Sequence, residues 1–295
     1  VLKSHSRWLR KQYRQLLTSH SHIDKSYGSD LVQSVISAHG GLPAYKNLTH
    51  ITTTFHFTGL TLTLKGHPQH LNPTATISTT SQKIIYRGLG GPADEEWIFT
   101  PSRVWKQRLS PTKEVTILES RDNPRETFTG LEMEDKWDDL QFVYFCGYAL
   151  WQYFNFPYFL TEESISSIEL PSHQESGQTW RVLEVTFPPQ SVFASHNKVQ
   201  KYYFDEKFHL RRHDYAPDVL GGAAAAHYCF DEVVVGGMTF AGMRRVVAIG
   251  EGEVPMLFGP VPTLINLVFT KIELKGGDDA GSDATWALTE APVVS

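Results

Sequence analysis

The chain has 295 residues and a formal net charge of −5, with a pI near 6.2. That balance excludes the basic signature of a nucleic-acid-binding protein, and no apolar run reaches the length of a membrane span. Two cysteines in 295 residues exclude a disulfide scaffold or a cysteine-based zinc site.

Two buried free thiols are expected instead, with one bridge open if Cys146 and Cys229 are packed together. Val1 reads as the start of a trimmed or processed chain, and no signal-peptide pattern remains. The compartment stays open, with a lean toward an intracellular protein.

In chain order, residues 1–26 set Arg7, Arg10, Lys11 and Arg14 among Trp8, Leu9, Tyr13, Leu16 and Leu17, an amphipathic helix. Asp30 is placed as the N-cap of a second helix through Ala38, with Leu31, Val32, Val35 and Ile36 on its apolar side. Gly40 and Gly41 stop it. Asn47-Leu48-Thr49 matches a glycosylation acceptor, a three-residue pattern that recurs by chance.

From Ile51 the pattern becomes β. Segments 52–57 and 60–64 alternate around a turn at Gly59, and strands follow over 74–80, 83–87, 96–100, 103–107 and 115–119. Gly88-Leu89-Gly90-Gly91 lacks a following helix with Lys-Ser/Thr, so it reads as a tight turn and not a phosphate loop.

Residues 137–159 hold 11 of the 36 aromatic residues. At helical spacing, Leu140, Val143, Tyr144, Gly147, Leu150, Trp151 and Phe154 make one stripe, while Phe142, Phe145, Tyr148, Ala149 and Tyr153 cover the opposite side. A helix apolar all round is buried on both sides. It is either an ordinary core helix or one wall of an aromatic pocket.

Further strands are expected over 164–169, 179–187, 199–205, 208–215, 225–234, 238–249 and 264–274. Hairpins turn within 201–212 and at Gly236-Gly237, giving an antiparallel sheet that curls. The tail after Gly276 is rich in Gly and Asp, with Trp286 able to dock.

The strong catalytic and nucleotide signatures are missing, and no cofactor is expected. The polar residues that stand out are Ser195-His196, Arg211-Arg212-His213-Asp214-Tyr215 and His227-Tyr228. On a strand, Arg212 and Asp214 point one way while His213 and Tyr215 point the other. His beside Asp suits acid–base work near neutral pH, and Arg with Tyr suits holding an oxygen. The plainer reading is a salt-bridge ladder with a hydrogen-bonded His or Tyr. No metal site is expected, because His209 and His213 are too far apart on a strand and ligation would need His196 and His227 brought together.

These residues also carry a resemblance. Ala38-His39-Gly40-Gly41-Leu42, Asp122-Asn123-Pro124-Arg125, Tyr144 to Trp151, Gly177 to Leu183, Ala194-Ser195-His196, Tyr203-Phe204-Asp205, Leu210 to Tyr215 and Ala225 to Tyr228 resemble blocks of a widespread bacterial family without an assigned activity. The resemblance spans about residues 35–275 and implies a lipoprotein-carrier-like fold: mainly β with helices, a curved antiparallel half-barrel enclosing the aromatic-rich helix. The chain then divides into an N-terminal helical extension over 1–30, a half-barrel domain over 31–275 and a flexible acidic tail over 276–295.

The chain is also similar to fungal hetero-Diels–Alderases of tropolonic sesquiterpenoid pathways, which implies a cofactor-free cyclase or lyase acting on an apolar intermediate. In that reading Tyr148, Trp151, Phe154, Tyr202 and Tyr228 grip the substrate. His213 with Asp214, or His196 and His227, assist water loss, and Arg212 steadies the oxygen. Orientation alone supplies up to roughly 7–11 kcal/mol in favourable cases. The alternative is a non-catalytic carrier of lipid or isoprenoid. Either way the partner is an apolar small molecule, with no nucleic acid and no stable membrane insertion; the oligomeric state is unassigned.

Overall fold

The computed structural model describes residues 25–112, 114–257, 263–276 and 284–288. Helices α1 (Lys25–Ala38) and α2 (Leu42–Lys46) lead into β1 (Leu48–Thr58), followed by α3 (Leu60–Leu64) and β2 (His70–Leu71). Strands β3 (Thr74–Ser78), β4 (Ile84–Arg87), β5 (Glu95–Phe99), β6 (Arg103–Leu109) and β7 (Val115–Asp122) precede the long α4 (Asp139–Asn155). After it come β8 (Ser166–Glu175), β9 (Gln178–Thr186), β10 (Val199–Phe204), β11 (Leu210–Tyr215), β12 (Ala225–Val235), β13 (Met238–Ala248), β14 (Ile265–Gly276) and β15 (Ala284–Ala287).

All of these strands join one antiparallel sheet, in the order β7-β6-β5-β4-β3-β1-β14-β13-β12-β11-β10-β9-β8, with β2 on β1 and β15 on β14. The end strands β7 and β8 do not pair with each other, so the sheet stays an open half-barrel. Alternation sets its faces: Ile51, Thr53, Phe55 and Phe57 of β1 are buried while the residues between them are half-exposed. Across the central pair, Phe55 faces Phe269 and Phe57 faces Leu267.

Helix α4 lies inside the curve. Asp138 caps it by accepting from the Gln141 amide at 2.8 Å, while Gln141 Oε1 accepts from the Asp138 amide at 3.1 Å. Every residue from Leu140 to Asn155 is buried. Its side chains meet both wings of the sheet. Phe142 stacks at 6.2 Å on Phe57 of β1, the Tyr86 hydroxyl of β4 donates to the Cys146 carbonyl, and Gln152 donates to Tyr202 of β10. Gly147 makes this close seat feasible, because a Cβ there would lie 2.1 Å from Phe99 Cγ. Cys146 and Cys229 are free and buried.

Two local expectations are corrected. Residues 60–64 form the short helix α3 and not a strand. A five-residue Leu/Thr alternation is too short to decide its own state, and here Leu62 and Thr61 turn inward where the chain presses on β14. Gly59 permits that approach with φ near 135°, since a Cβ would meet the Leu264 carbonyl at 2.4 Å. Asp30 is not an N-cap, because helical backbone already begins at Lys25.

Of the amphipathic segment read over residues 1–26, residues 1–24 lie outside the described residues. In the tail, Trp286 docks by pairing opposite Ile272. Among the described residues, no helix is long and apolar enough to cross a membrane.

Candidate functional site

The residues singled out from sequence separate into three environments. His196, His213 and His227 lie inside, all essentially inaccessible. His213 and His227 face each other in register across β11 and β12. His196, from the loop after β9, stacks on Tyr215 with ring centroids 3.8 Å apart. A hydrogen-bond network threads the set: Tyr153 meets His196 Nε2 at 3.1 Å, Tyr215 meets His227 Nδ1 at 3.3 Å, and His213 Nε2 donates to Gln200 Oε1 at 2.7 Å. Gln152 of α4 donates to the same Gln200 oxygen at 2.7 Å.

Burial is the main force on the titration of these groups, holding all three imidazoles far below their ordinary range and therefore neutral. The Arg125 charge adds to this at His196, neighbouring histidines and Arg244 at His213, and Arg244 at His227. Burial likewise pushes the Tyr202 and Tyr215 hydroxyls well up.

Arg212 and Asp214 occupy the other face of β11, as strand alternation requires. Arg212 donates to Asp214 Oδ1 at 2.7 Å through Nε and to Glu175 Oε2 at 2.7 Å through NH1. The Tyr228 hydroxyl donates to Glu175 at 2.7 Å and the Tyr203 hydroxyl to Asp214 at 2.9 Å. This is a closed ion-pair ladder beside a cleft of about 420 Å³. The pairing of His213 with Asp214, and Arg212 as a free oxygen-holder, are both corrected: the backbone sends these groups through opposite faces of the sheet.

The expected substrate-gripping rings are also divided. Tyr148, Phe154 and Tyr202 are core side chains; Phe154 packs on Phe269 at 5.0 Å and Tyr202 on Phe156 at 5.2 Å. Tyr228 belongs to the outer ladder. Trp151 alone of the five lines an open groove, of about 710 Å³. Its indole donates to the Ser78 and Ser81 carbonyls at 2.9 and 2.8 Å, fixing the ring.

Tyr45, Tyr158, Phe159, Val192 and Phe193 are among the other apolar residues of the groove, and Lys46, Lys83 and Glu162 stand among its polar lining residues. Tyr45 stacks on Tyr158 at 4.0 Å and bonds Asn155 at the end of α4. Sequence reasoning missed these partners because they come from four separated stretches of chain; only Tyr158 and Phe159, just beyond the aromatic helix, gave any signal.

Asp205, His209 and Glu232 bring ligand-type atoms within 4.8 Å of one another. Arg211 already bridges both carboxylates, at 2.5 Å to Asp205 and 2.6 Å to Glu232, and Asp205 Oδ1 accepts the amides of Lys207 and His209. A cation there would have to displace that guanidinium, so the donor set fits an ion pair better than a metal.

No family model matches the chain. No curated protein matches it either. Solved structures of similar fold include a DUF1329 family protein of Desulfovibrio piger, with 9% identity over 86% of this chain and 93% of that one, TM-score 0.48. A LolA superfamily protein of Nitrosomonas europaea matches with 8% identity over 88% and 94%, TM-score 0.45. A domain of the outer membrane lipoprotein-sorting kind from Vibrio parahaemolyticus matches with 12% identity over 86% and 94%, TM-score 0.43.

The expectation of a cyclase or lyase of natural-product biosynthesis is corrected. Two of these neighbours are described as a LolA superfamily protein and a lipoprotein-sorting protein domain, and none as a hetero-Diels–Alderase. Asp214 is split from His213 across the sheet, and His196, His213 and His227 are neutral and tied into the helix-holding network.

Proposed function

We propose that this chain is a non-catalytic binding or carrier protein for an apolar small molecule of the lipid or isoprenoid class. The observation that carries the reading is the groove around Trp151, whose volume of about 710 Å³ falls in the range of small-molecule sites. The Trp151 and Tyr45 rings in its lining are held by hydrogen bonds to backbone carbonyls, so they accept a ligand without first having to be ordered. Lys46, Lys83 and Glu162 in the lining offer charged partners to a head group.

Mass spectrometry of material extracted from the pure protein tests this. A hydrophobic compound should co-purify, and added isoprenoid or fatty alcohol should bind and be recovered at unchanged mass. Failure of any such compound to bind, or recovery of a chemically altered one, would sink the proposal.

A further inference from the structure

Among the described residues, Arg244 on β13 is a buried cation without a counter-ion. Its residue is 5% exposed, and among the described residues it makes no ion pair with a carboxylate within 4.0 Å. Its partners are the Cys229 sulfur and the Tyr153 carbonyl, each at 3.3 Å, with the Tyr153 ring 4.7 Å from the guanidinium carbon. Burial keeps the Cys229 thiol raised and hence uncharged, so it does not neutralise the arginine. Glu232 lines the same cavity, but its two oxygens are engaged by Arg211 at 2.6 Å and His209 at 3.0 Å. A buried charge ordinarily has a partner, because desolvation otherwise costs several kcal/mol or more.

Small voids lie along α4 from Arg244 onward. A cavity of about 20 Å³, with room for a water-sized group, lies between Arg244, Tyr153 and His39. Tyr153 also lines a second cavity of about 20 Å³ between Cys146 and Ala149 of the helix and Phe57 of β1. Phe145 and Ile265 line both that one and a third, of about 60 Å³. Phe145, Cys146, Ala149 and Tyr153 share one helical face, so the three voids mark a loosely packed, apolar seam roughly 12 Å long.

We propose that Arg244 is the receptor for a carboxylate, and that the bound molecule is an acid whose apolar tail lies along this seam. The assignment rests on the reading above that the protein binds an apolar small molecule, and it adds a second site, apart from the Trp151 groove, for an amphipathic and anionic ligand. A carboxylate accepts two parallel N–H bonds from a guanidinium, a geometry that the sulfur and the carbonyl now at Arg244 cannot supply. The tail replaces the voids with contacts. Parting α4 slightly from β1 and β14 is the adjustment required.

The test compares sodium laurate, 1-dodecanol and sodium acetate by calorimetry on the wild type, Arg244→Met and Arg244→Lys. Laurate should bind the wild type at least tenfold more tightly than dodecanol, and Arg244→Met should abolish that preference while still binding dodecanol. Arg244→Met without ligand should melt no lower than the wild type, since it removes an uncompensated charge; an arginine with a purely structural role would lose stability. Protection by acetate alone, lost in Arg244→Met, identifies a small free carboxylate as the ligand, whereas protection by laurate only identifies the amphiphile. Equal affinity for laurate and dodecanol in the wild type, or an unchanged preference in Arg244→Met, overturns the assignment and leaves the binding reading standing. If neither laurate nor dodecanol binds, both fall.

Discussion

His213 and His227 face one another across β11 and β12, their ring centroids 6.0 Å apart in the closed interior. With His196 they form a neutral polar seam through which α4 is bonded to the sheet. Gln152 and Tyr153 reach it from the helix, and Gln200 and Tyr215 from the strands. The polar residues that invite a catalytic reading thus serve to fix the position of the aromatic helix.

That arrangement sets a pH dependence. The folded protein holds His196, His213 and His227 below their ordinary range chiefly by burial, and His39 is lowered from 6.5 to about 4 for the same reason. Below pH 6.5 the unfolded chain binds protons that the folded one refuses, so stability present above that pH is lost as pH falls toward the folded values. Each histidine contributes a slope of about 1.4 kcal/mol per pH unit, or roughly 3 kcal/mol for His39 across its window. Urea midpoints should fall steeply between pH 6.5 and 4.5, less so in His39→Gln. A flat profile would show that these groups titrate normally in the fold.

Gly147→Ala should destabilise the protein although alanine is the better helix former by about 1 kcal/mol. The new methyl would sit 2.4 Å from Phe99 Cβ, where the all-buried helix is seated directly against β5. A net loss of about 1–3 kcal/mol is expected from such overpacking. Combining it with Phe99→Ala should give a smaller loss than the two single changes added together. Additive losses in denaturant titrations would place the clash elsewhere.

The outer ladder should matter for stability and not for ligand. Arg212 and its two carboxylates are largely buried, with side-chain exposures of 4%, 15% and 14%. Arg212→Met leaves Glu175 and Asp214 uncompensated and should cost about 3–5 kcal/mol. At a temperature where the variant is folded, its affinity for dodecanol should match the wild type within about twofold. A selective loss of affinity would instead join the outer cleft to the ligand site.

These outcomes also measure what the sequence makes legible. The burial of α4 was readable because nearly every position of one helix is apolar, which leaves it no solvent face. Period-two alternation separated Arg212 and Asp214 from His213 and Tyr215, and pairing them functionally went against that geometry. Which face of the sheet is concave depends on how distant strands twist together, and local pattern does not encode it. The groove needs Tyr45, Trp151 and Phe193, more than 100 residues apart from first to last. The isolation of Arg244 is a property of what its neighbours lack, which no motif announces.

Trp151→Ala tests the groove directly. The indole lines the open space while its N–H is spent on Ser78 and Ser81 carbonyls, so the ring face is its contribution to a ligand. Removing it should weaken an apolar ligand by about tenfold, given roughly 0.5–1.5 kcal/mol for an aromatic contact beyond the area buried. Trp151→Phe keeps a ring but not the donor, and should retain most of the affinity. Titration with dodecanol or an isoprenoid alcohol distinguishes them. Equal affinities for wild type and Trp151→Ala would remove the groove from the binding site and leave the seam beside Arg244 as the place to look.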